Sequence, residues 1–247
     1  MTRKFGLIGF PLRHSFSHIY HNERFARLGI DAVYSNYELE DIAMLRSLVE
    51  GDECLEGLNV TIPYKQAVIP LLDALDDAAQ AIGAVNVIKI MRDESGLRMV
   101  GYNSDYIGFR NSIEPLLQSH QKHALVLGTG GAAKAVTAAL KDLGLEVAMV
   151  SRSQQNNAMS YQSLSPQVME LYKVVVNATP LGMSPHTDTC PPIPYELLTP
   201  QHLCYDVVYN PEQTLFMQRA AQYGAVVCNG MNMLYGQADA ACEIWNI

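Results

Sequence analysis

Residues 123–133, HALVLGTGGAA, decide the fold that we predict for this chain. An apolar strand over His123–Leu127 leads directly into a Gly-x-Gly-x-x-Ala pattern, and a helix follows to Leu143. Glycines at these positions let the backbone approach a pyrophosphate, and the first turn of the helix supplies N–H donors. The strand–turn–helix setting is the one that a dinucleotide fingerprint requires. We therefore predict a Rossmann-type unit whose cofactor-binding loop is Gly128, Thr129, Gly130, Gly131 and Ala132.

The strand after this helix, Glu146 to Val150, predicts which dinucleotide binds. An NAD site usually ends this strand with Asp or Glu, which binds the ribose 2′-hydroxyl. Here the strand is followed by Ser151, Arg152 and Ser153. The planar guanidinium of Arg152 suits a 2′-phosphate, although a solvent-facing arginine would also be ordinary here. The missing carboxylate favours NADP(H) over NAD.

The rest of the second half continues the alternation of strands and helices. We predict a loop over Gln154–Ser165, a Pro-rich loop over Ser184–Pro194 and a last helix over about Met233–Ile244. Between them lie predicted strands Lys173–Ala178, Leu203–Tyr209 and Ala225–Cys228 and a helix Glu212–Tyr223.

The first half alternates in the same way. Predicted strands are Lys4–Gly9, Ala32–Leu39, Leu55–Thr61, Ala84–Ile90 and a hairpin return Leu97–Tyr102, with helices ending at Leu28, over Asp41–Val49, over Tyr64–Leu75 and ending near Gln118. This order predicts an α/β protein with a mostly parallel open sheet and one antiparallel excursion, followed by the Rossmann-type unit. We expect a first domain over 1–103, completed by about 230–247, and an NADP-binding domain over 104–229.

Charge and cysteine content exclude several classes of protein. The net charge is −8 and the 17 Lys and Arg residues are scattered, so we expect no nucleic-acid partner. Five cysteines without a CxxC pattern support neither a disulfide scaffold nor a zinc site, and no metal site is predicted. No signal peptide or membrane-spanning run is predicted, so we expect a cytoplasmic protein.

Lys65 stands in the segment NVTIPYK, 59–65, where a strand gives way to a predicted helix. A cation gains nothing from the first turn of a helix, which carries partial positive charge and favours carboxylates. With Asn, Thr and Pro around it, Lys65 becomes a candidate acid/base residue. At the next such junction, Ser104 or Asp105 is either an ordinary helix cap or part of a ligand crevice.

Two polar residues of the first half, Ser17 and Asn86, have two interpretations each. Ser17 can cap the first helix, or Ser15 and Ser17 together can bind a carboxylate beside the N–H groups of the helix start. Asn86 lies within the predicted apolar strand Ala84–Ile90, where its amide must bond either to the backbone or to a ligand.

Eight segments, taken in order over nearly the whole chain, resemble motifs of the shikimate dehydrogenase family. They are Gly9–Ser17, Asn59–Lys65, Gly83–Asn86, Gly101–Asp105, the Gly128 loop, Asn177–Pro180, Tyr205–Tyr209 and Gly230–Gln237. The resemblance implies a two-domain enzyme that reduces 3-dehydroshikimate to shikimate with NADPH, on the route to chorismate and the aromatic amino acids. Each segment is short, but eight in the right order are specific.

The resemblance also implies residue roles. Lys65 and Asp105 would form the catalytic pair, and Ser15 and Ser17 would bind the substrate carboxylate. Further substrate contacts would come from Thr61, Asn86, Tyr209 and Gln237, and cofactor contacts from the Gly128–Ala132 loop, Ser151–Ser153 and the backbones of Val207 and Gly230.

Four features depart from the family pattern. His18 replaces the usual proline and Ser104 the usual threonine, while Asn156 replaces a second basic residue that helps to bind the 2′-phosphate. The segment after Arg152 is shorter than usual, so a helix of the cofactor domain is expected to be absent.

Three other functions remain open at this point. A quinate or quinate/shikimate dehydrogenase using NAD would share Lys65 and Asp105, whereas the serines and Asp105 fit a methylenetetrahydrofolate dehydrogenase less well. A non-catalytic sensor of shikimate-like ligands is the alternative from another class. We expect a monomer or a homodimer.

Overall fold

The computed structural model of the chain describes residues 1–12, 16–94, 96–152 and 158–247. These residues form two compact units, Met1–Ser104 with Ala238–Ile247, and Asp105–Gln237. Each unit contains a six-stranded sheet, and helices alternate with the strands along the chain. The predicted α/β fold class is confirmed. Over the ranges described, no helix is long and apolar enough to cross a membrane.

The elements as far as residue 113 are β1 (Arg3–Gly9), α1 (Phe16–Leu28), β2 (Ala32–Glu38), α2 (Leu45–Gly51), β3 (Leu55–Val60), β4 (Ala74–Leu75), α3 (Asp77–Ile82), β5 (Val87–Asp93), β6 (Gly96–Tyr102) and α4 (Ser104–Ile113). They are followed by β7 (His123–Leu127), α5 (Gly131–Asp142), β8 (Glu146–Ser151), β9 (Met159–Ser160), α6 (Pro166–Leu171), β10 (Val174–Asn177), β11 (Leu203–Asp206), α7 (Leu215–Gln222), β12 (Val226–Cys228) and α8 (Met231–Trp245).

The sheet of the first unit has the order β2-β1-β3-β5-β6-β4. Strand β1 is parallel to β2 and β3, whereas β5 is antiparallel to both of its neighbours. This is the mostly parallel sheet with one antiparallel excursion that we predicted. Because β1 and β3 are parallel, their carboxyl ends lie at the same edge, and polar residues that follow these strands are brought together there.

The sheet of the second unit is parallel throughout, in the order β12-β11-β10-β7-β8-β9. The chain starts in the middle at β7, proceeds through β8 to β9 at one edge, and then returns to build the other half from β10 to β12. The order therefore reverses between β7 and β10. In open parallel sheets, ligands bind at the carboxyl ends of the strands at such a switch point.

The predicted helix over Tyr64–Leu75 is wrong. The chain makes turns as far as Val68, then a 3₁₀-helix over Ile69–Leu71, and then the short strand β4. Pro70 explains the failure, because a proline inside a helix lacks an N–H donor and its ring clashes with the preceding turn. The apolar residues of the segment nevertheless pack into the core of the first unit.

Two helices were missed although the sequence carries their signals. Asp76 caps α3 by accepting a hydrogen bond from the Ala79 amide (2.8 Å), and Gly83 ends it with φ of 68°. Ser165 caps α6, with Pro166 in its first position. The predicted helix Asp41–Val49 is divided into a 3₁₀-helix, Ile42–Met44, and α2.

The predicted loop Gln154–Ser165 is wrong in its second half, which contains β9 and a 3₁₀-helix over Tyr161–Ser163. Ser153 and Asn156 lie outside the described residues. Within the part that is described, the first α-helix after β8 is α6.

Candidate active site

The loops that follow β1 and β3 are joined by backbone hydrogen bonds. The Thr61 amide donates to the Ile8 carbonyl (2.9 Å), and the Phe10 amide donates to the Ile62 carbonyl (3.2 Å). A Cβ at Gly9 would stand 2.5 Å from Cγ2 of Thr61, so only glycine fits this approach. Two of the segments that carry the family resemblance are thus brought side by side.

Lys65 is half-buried and lies in the turn after β3 rather than at a helix start. The argument from the helix dipole therefore does not apply to it. Its carbonyl accepts a hydrogen bond from the Val85 amide (2.7 Å), while the Val60 amide donates to the Asn86 carbonyl (2.9 Å). The lysine is consequently held beside the third motif segment.

Asn86 is buried and immediately precedes β5. The prediction that it lies inside the strand is therefore wrong. Its Oδ1 accepts a hydrogen bond from the Ser104 amide (2.6 Å), and its Nδ2 donates to the Ser104 hydroxyl (3.0 Å). The amide thereby caps α4 from another element of the fold. Asp105 follows Ser104 in the first turn of α4 and is only 2% exposed. Direct contact of Asn86 with a ligand stays a prediction.

Ser17 is the second residue of α1, so the interpretation in which it caps this helix is wrong. Ser15 lies outside the described residues. The hydroxyl of Ser17 hydrogen-bonds to the hydroxyl of Tyr34, which donates in turn to Oδ1 of Asn59 (2.7 Å). Tyr34 was missed from the sequence, because a tyrosine on a strand carries no local sign of such a contact.

The Gly128 loop lies between the ends of β7 and β10 in the second unit. Gly128 has φ of 117°, and a Cβ there would stand 2.9 Å from the Ala178 carbonyl oxygen, so this position requires glycine. A Cβ on Gly130, just before α5, would meet no atom within 4 Å. The backbone at the start of this 12-residue helix is thus open to a ligand. The loop, continued by Thr129, Gly131 and Ala132, fits a pyrophosphate.

The end of β8 carries a cation and no acid. Ser151 is half-buried and Arg152 is exposed. Arg152 also lies near Tyr161, whose pKa is raised by burial and lowered to a lesser extent by this charge. No Asp or Glu occurs at 151–157, which suits the 2′-phosphate of NADP better than the 2′-hydroxyl of NAD.

A buried carboxylate connects the ends of β10 and β11. Asp206 accepts hydrogen bonds from Nδ2 of Asn177 (3.0 Å), the hydroxyl of Thr214 (2.6 Å) and the amide of Val208 (3.0 Å). Burial raises the pKa of Asp206 to about 6, although all three hydrogen bonds act against the rise. This group was also missed from the sequence.

The same network positions the remaining predicted cofactor contacts. The Val207 amide donates to the Asn177 carbonyl (3.0 Å), and the Gly230 amide donates to the Val208 carbonyl (3.1 Å). A Cβ at Gly230 would stand 2.2 Å from the Val207 carbonyl oxygen, so the two backbones meet only because residue 230 is glycine.

The structure places two predicted substrate residues in the second unit. Tyr209 is half-buried after β11, and burial raises its pKa. Gln237 lies on α8 opposite Gly108, where an added Cβ would come within 2.6 Å of the Gln237 amide. Lys65, Thr61 and Asn86 belong to the first unit. Over the described ranges, no three His, Cys, Asp or Glu side chains form a group able to bind a metal.

Comparison with known proteins identifies the family. A family profile described as "Shikimate dehydrogenase substrate binding domain" matches residues 7–88. The shikimate dehydrogenase (NADP(+)) of Desulforamulus reducens is 38% identical over 269 residues, covering 99% of this chain and 90% of that protein.

Two solved structures have the same fold. One is shikimate 5-dehydrogenase from Thermus thermophilus in complex with NADP(H) and shikimate, with a TM-score of 0.85, 31% identity, and coverage of 98% of this chain and 93% of that one. The other is quinate dehydrogenase from Corynebacterium glutamicum in complex with NAD, with a TM-score of 0.85, 28% identity, and coverage of 99% and 93%. The full-length identity to the curated relative confirms the resemblance seen in the eight motifs, and the chain belongs to the shikimate dehydrogenase family.

Proposed function

We propose that this protein is an NADP-dependent shikimate dehydrogenase, which reversibly reduces 3-dehydroshikimate to shikimate on the route to chorismate and the aromatic amino acids. The observation that carries this proposal is the end of β8, where Arg152 is present and no carboxylate follows. It agrees with the full-length similarity of the chain to a shikimate dehydrogenase named for NADP(+). The first unit would bind the substrate and the second the cofactor. NADPH, when bound, supplies the hydride that reduces the ring ketone.

The backbone of the second unit would bind the cofactor. The open side of Gly130 and the amides at the start of α5 receive the pyrophosphate. Arg152, flanked by Ser151 and Ser153, neutralises the 2′-phosphate. The backbones of Val207 and Gly230 support the remainder of the cofactor, because the Asp206 network fixes both loops.

Lys65 and Asp105 would act as the acid–base pair. As the ketone oxygen becomes an alkoxide, an ammonium beside it stabilises the developing charge and donates the proton. Asp105, a buried carboxylate, would hold the ammonium of Lys65 in place. The Asn86 cap on Ser104 holds the first turn of α4, which carries this carboxylate.

Substrate recognition would divide between the carboxylate and the ring hydroxyls. Ser15 and Ser17 donate to the carboxylate, with Ser17 placed in the first turn of α1. Further contacts, to the ring hydroxyls or to the carboxylate, would come from Thr61, Asn86, Tyr209 and Gln237.

We also propose a cytoplasmic enzyme that is a monomer or a homodimer. All five cysteines are described and unpaired, as expected in a reducing compartment. Cell fractionation and analytical ultracentrifugation test these two statements separately.

Initial rates with shikimate and quinate, each with NADP+ and NAD+, test the proposed function. We expect shikimate with NADP+ to give the highest kcat/KM, by roughly tenfold or more over the other combinations. Because the solved quinate dehydrogenase has an equal TM-score, the fold does not separate the two activities. Faster turnover of quinate with NAD+ would assign the chain to that activity. Shikimate binding by calorimetry without turnover under any of the four conditions would indicate a sensor.

A further inference from the structure

We propose that Tyr34 is a positioning residue that fixes Ser17 for binding of the substrate carboxylate. This inference rests on the proposed function, in which Ser17 donates to that carboxylate. Tyr34 itself lies too deep to reach a ligand, since it is fully buried within the first unit. Its effect on the substrate must therefore pass through the residues that it touches.

Three side chains of α1 contact Tyr34, and they fix the helix against β2. The Ser17 hydroxyl bonds to the Tyr34 hydroxyl, and the His21 ring stacks on the tyrosine ring with centroids 4.5 Å apart. Asn22 binds the backbone of Tyr34 at both ends, because its Oδ1 accepts from the amide (2.9 Å) and its Nδ2 donates to the carbonyl (2.8 Å). These contacts fix the rotation of α1 about its own axis and its position relative to β2. They thereby fix the position of Ser17.

The direction of each hydroxyl proton follows from Asn59. Its Nδ2 donates to the Asn86 carbonyl (3.3 Å), so its Oδ1 is the atom that faces Tyr34. Tyr34 therefore donates its proton to Asn59 and accepts the proton of Ser17. The phenol remains protonated, because complete burial raises its pKa well above the ordinary value.

This arrangement keeps the Ser17 hydroxyl in one rotamer before a substrate arrives. When a carboxylate replaces Tyr34 as the acceptor, the tyrosine proton can turn from Asn59 to Ser17. A hydroxyl that accepts a hydrogen bond donates a stronger one, and this gain is largest towards an anion. No proton is transferred between oxygens in these steps, since only the O–H bonds rotate.

Tyr34→Phe tests the proposal, because it removes the hydroxyl and leaves the ring stack and both backbone hydrogen bonds. We expect KM for shikimate to rise by roughly three- to tenfold, which corresponds to the loss of one hydrogen bond and a fixed rotamer. We expect kcat and KM for NADP+ to stay within about twofold. Tyr37→Phe, which removes a hydroxyl from the opposite face of β2, is the matched control and should leave KM unchanged.

A double-mutant cycle with Ser17→Ala separates positioning from a general structural effect. If Tyr34 acts through Ser17, adding Tyr34→Phe to Ser17→Ala raises KM no further. Equal effects in both backgrounds, or a lower Tm with KM unchanged, would overturn the inference. If Ser17→Ala alone leaves KM unchanged, the proposed role of Ser17 fails. If only Tyr34→Phe has no effect, Ser17 keeps its role and the positioning by Tyr34 is refuted.

Discussion

Replacement of Asp206 by Asn should remove a pH dependence from the stability of the second unit. Asp206 is fully buried, and burial raises its pKa from 3.8 to about 6. The folded state therefore binds this proton more tightly than the unfolded state does. The resulting stability is fully present below about pH 4 and is lost as the pH rises through about 6.

The size of the effect follows from the difference of about two pKa units. At 1.36 kcal/mol per unit, the ionised Asp206 lowers the free energy of unfolding by about 3 kcal/mol at neutral pH, relative to its protonated form. Part of this loss occurs below pH 5, where the protonated fraction of the unfolded chain is still changing. Between about pH 5 and pH 8 the same relation leaves about 1.5 kcal/mol to be observed.

Asparagine should preserve the fold at this position. Its Oδ1 can accept from Asn177 and Val208 as the carboxylate does, and its Nδ2 can donate to the hydroxyl of Thr214, which then acts as the acceptor. The variant therefore keeps the three contacts and removes the titration, and the displaced Thr214 proton adds an offset that does not change with pH.

Urea denaturation of parent and variant, without cofactor, measures the difference in the free energy of unfolding. Far-UV circular dichroism is the appropriate signal, because the single tryptophan, Trp245, belongs to the first unit. We expect the variant to gain about 1.5 kcal/mol over the parent from pH 5 to pH 8. Asp188→Asn, at an exposed site of the same unit, is the charge-matched control. If the free energy of unfolding of the variant minus that of the parent stays constant with pH, or falls as the pH rises, this reasoning is refuted.

Three further variants test the site and the core. Lys65→Ala should lower kcat by roughly 10²–10⁴-fold with the NADPH Kd within about twofold, as measured by steady-state kinetics and fluorescence titration. Gly57→Ala would place a Cβ 2.2 Å from Nε1 of the buried Trp245. It should therefore lower the free energy of unfolding of the first unit by about 3 kcal/mol and lower its Tm, which the fluorescence of that tryptophan measures. Arg152→Gln should raise KM for NADPH by roughly tenfold and leave KM for NADH within about twofold, because only NADPH carries the 2′-phosphate.

Each of these variants has a matched control in the chain. Lys122→Ala removes an exposed lysine and should leave kcat unchanged, and Arg27→Gln removes an exposed arginine of the first unit and should leave both cofactor constants unchanged. Gly51→Ala adds a Cβ that meets nothing within 4 Å and should not lower the Tm. A Lys65→Ala enzyme within a few-fold of the parent would contradict the proposed acid, and equal losses for NADPH and NADH would contradict the role of Arg152.

The nucleotide-binding half was predictable because its decisive signals are local. Gly128 needs a left-handed backbone and Gly130 an open side, and both needs arise within one strand–turn–helix unit of 11 residues, 123–133. The bounds of β7 were predicted without error for the same reason, since four apolar residues follow His123 and Gly128 marks their end. The fold class and the strand–turn–helix around Gly128 therefore followed from short-range pattern.

The segment around Lys65 shows where pattern alone misleads. Val68, Leu71, Leu72 and Leu75 recur at helical spacing, yet their shared core can also be reached by turns, a 3₁₀-helix and a short strand. Pro70 distinguishes the two structures, and it was visible in the sequence. The suspicion about Lys65 came from a helix start that does not exist, so its candidacy depends instead on its place between β3 and Asn86.

Asn86 shows why the rest of the site needed coordinates. The sequence left a choice between a satisfied core amide and a ligand contact, and 18 positions separate Asn86 from the Ser104 that it caps. Only the pairing of β5 with β6 and β3 brings these residues together, and no local pattern encodes that pairing. Because such a cap contributes about 1 kcal/mol to the helix that carries Asp105, loss of activity in Asn86→Ala would not identify a substrate contact. Tyr34→Phe is the cleaner probe of substrate binding, since the hydroxyl that it removes bonds to Ser17 and takes no part in the cap on α4.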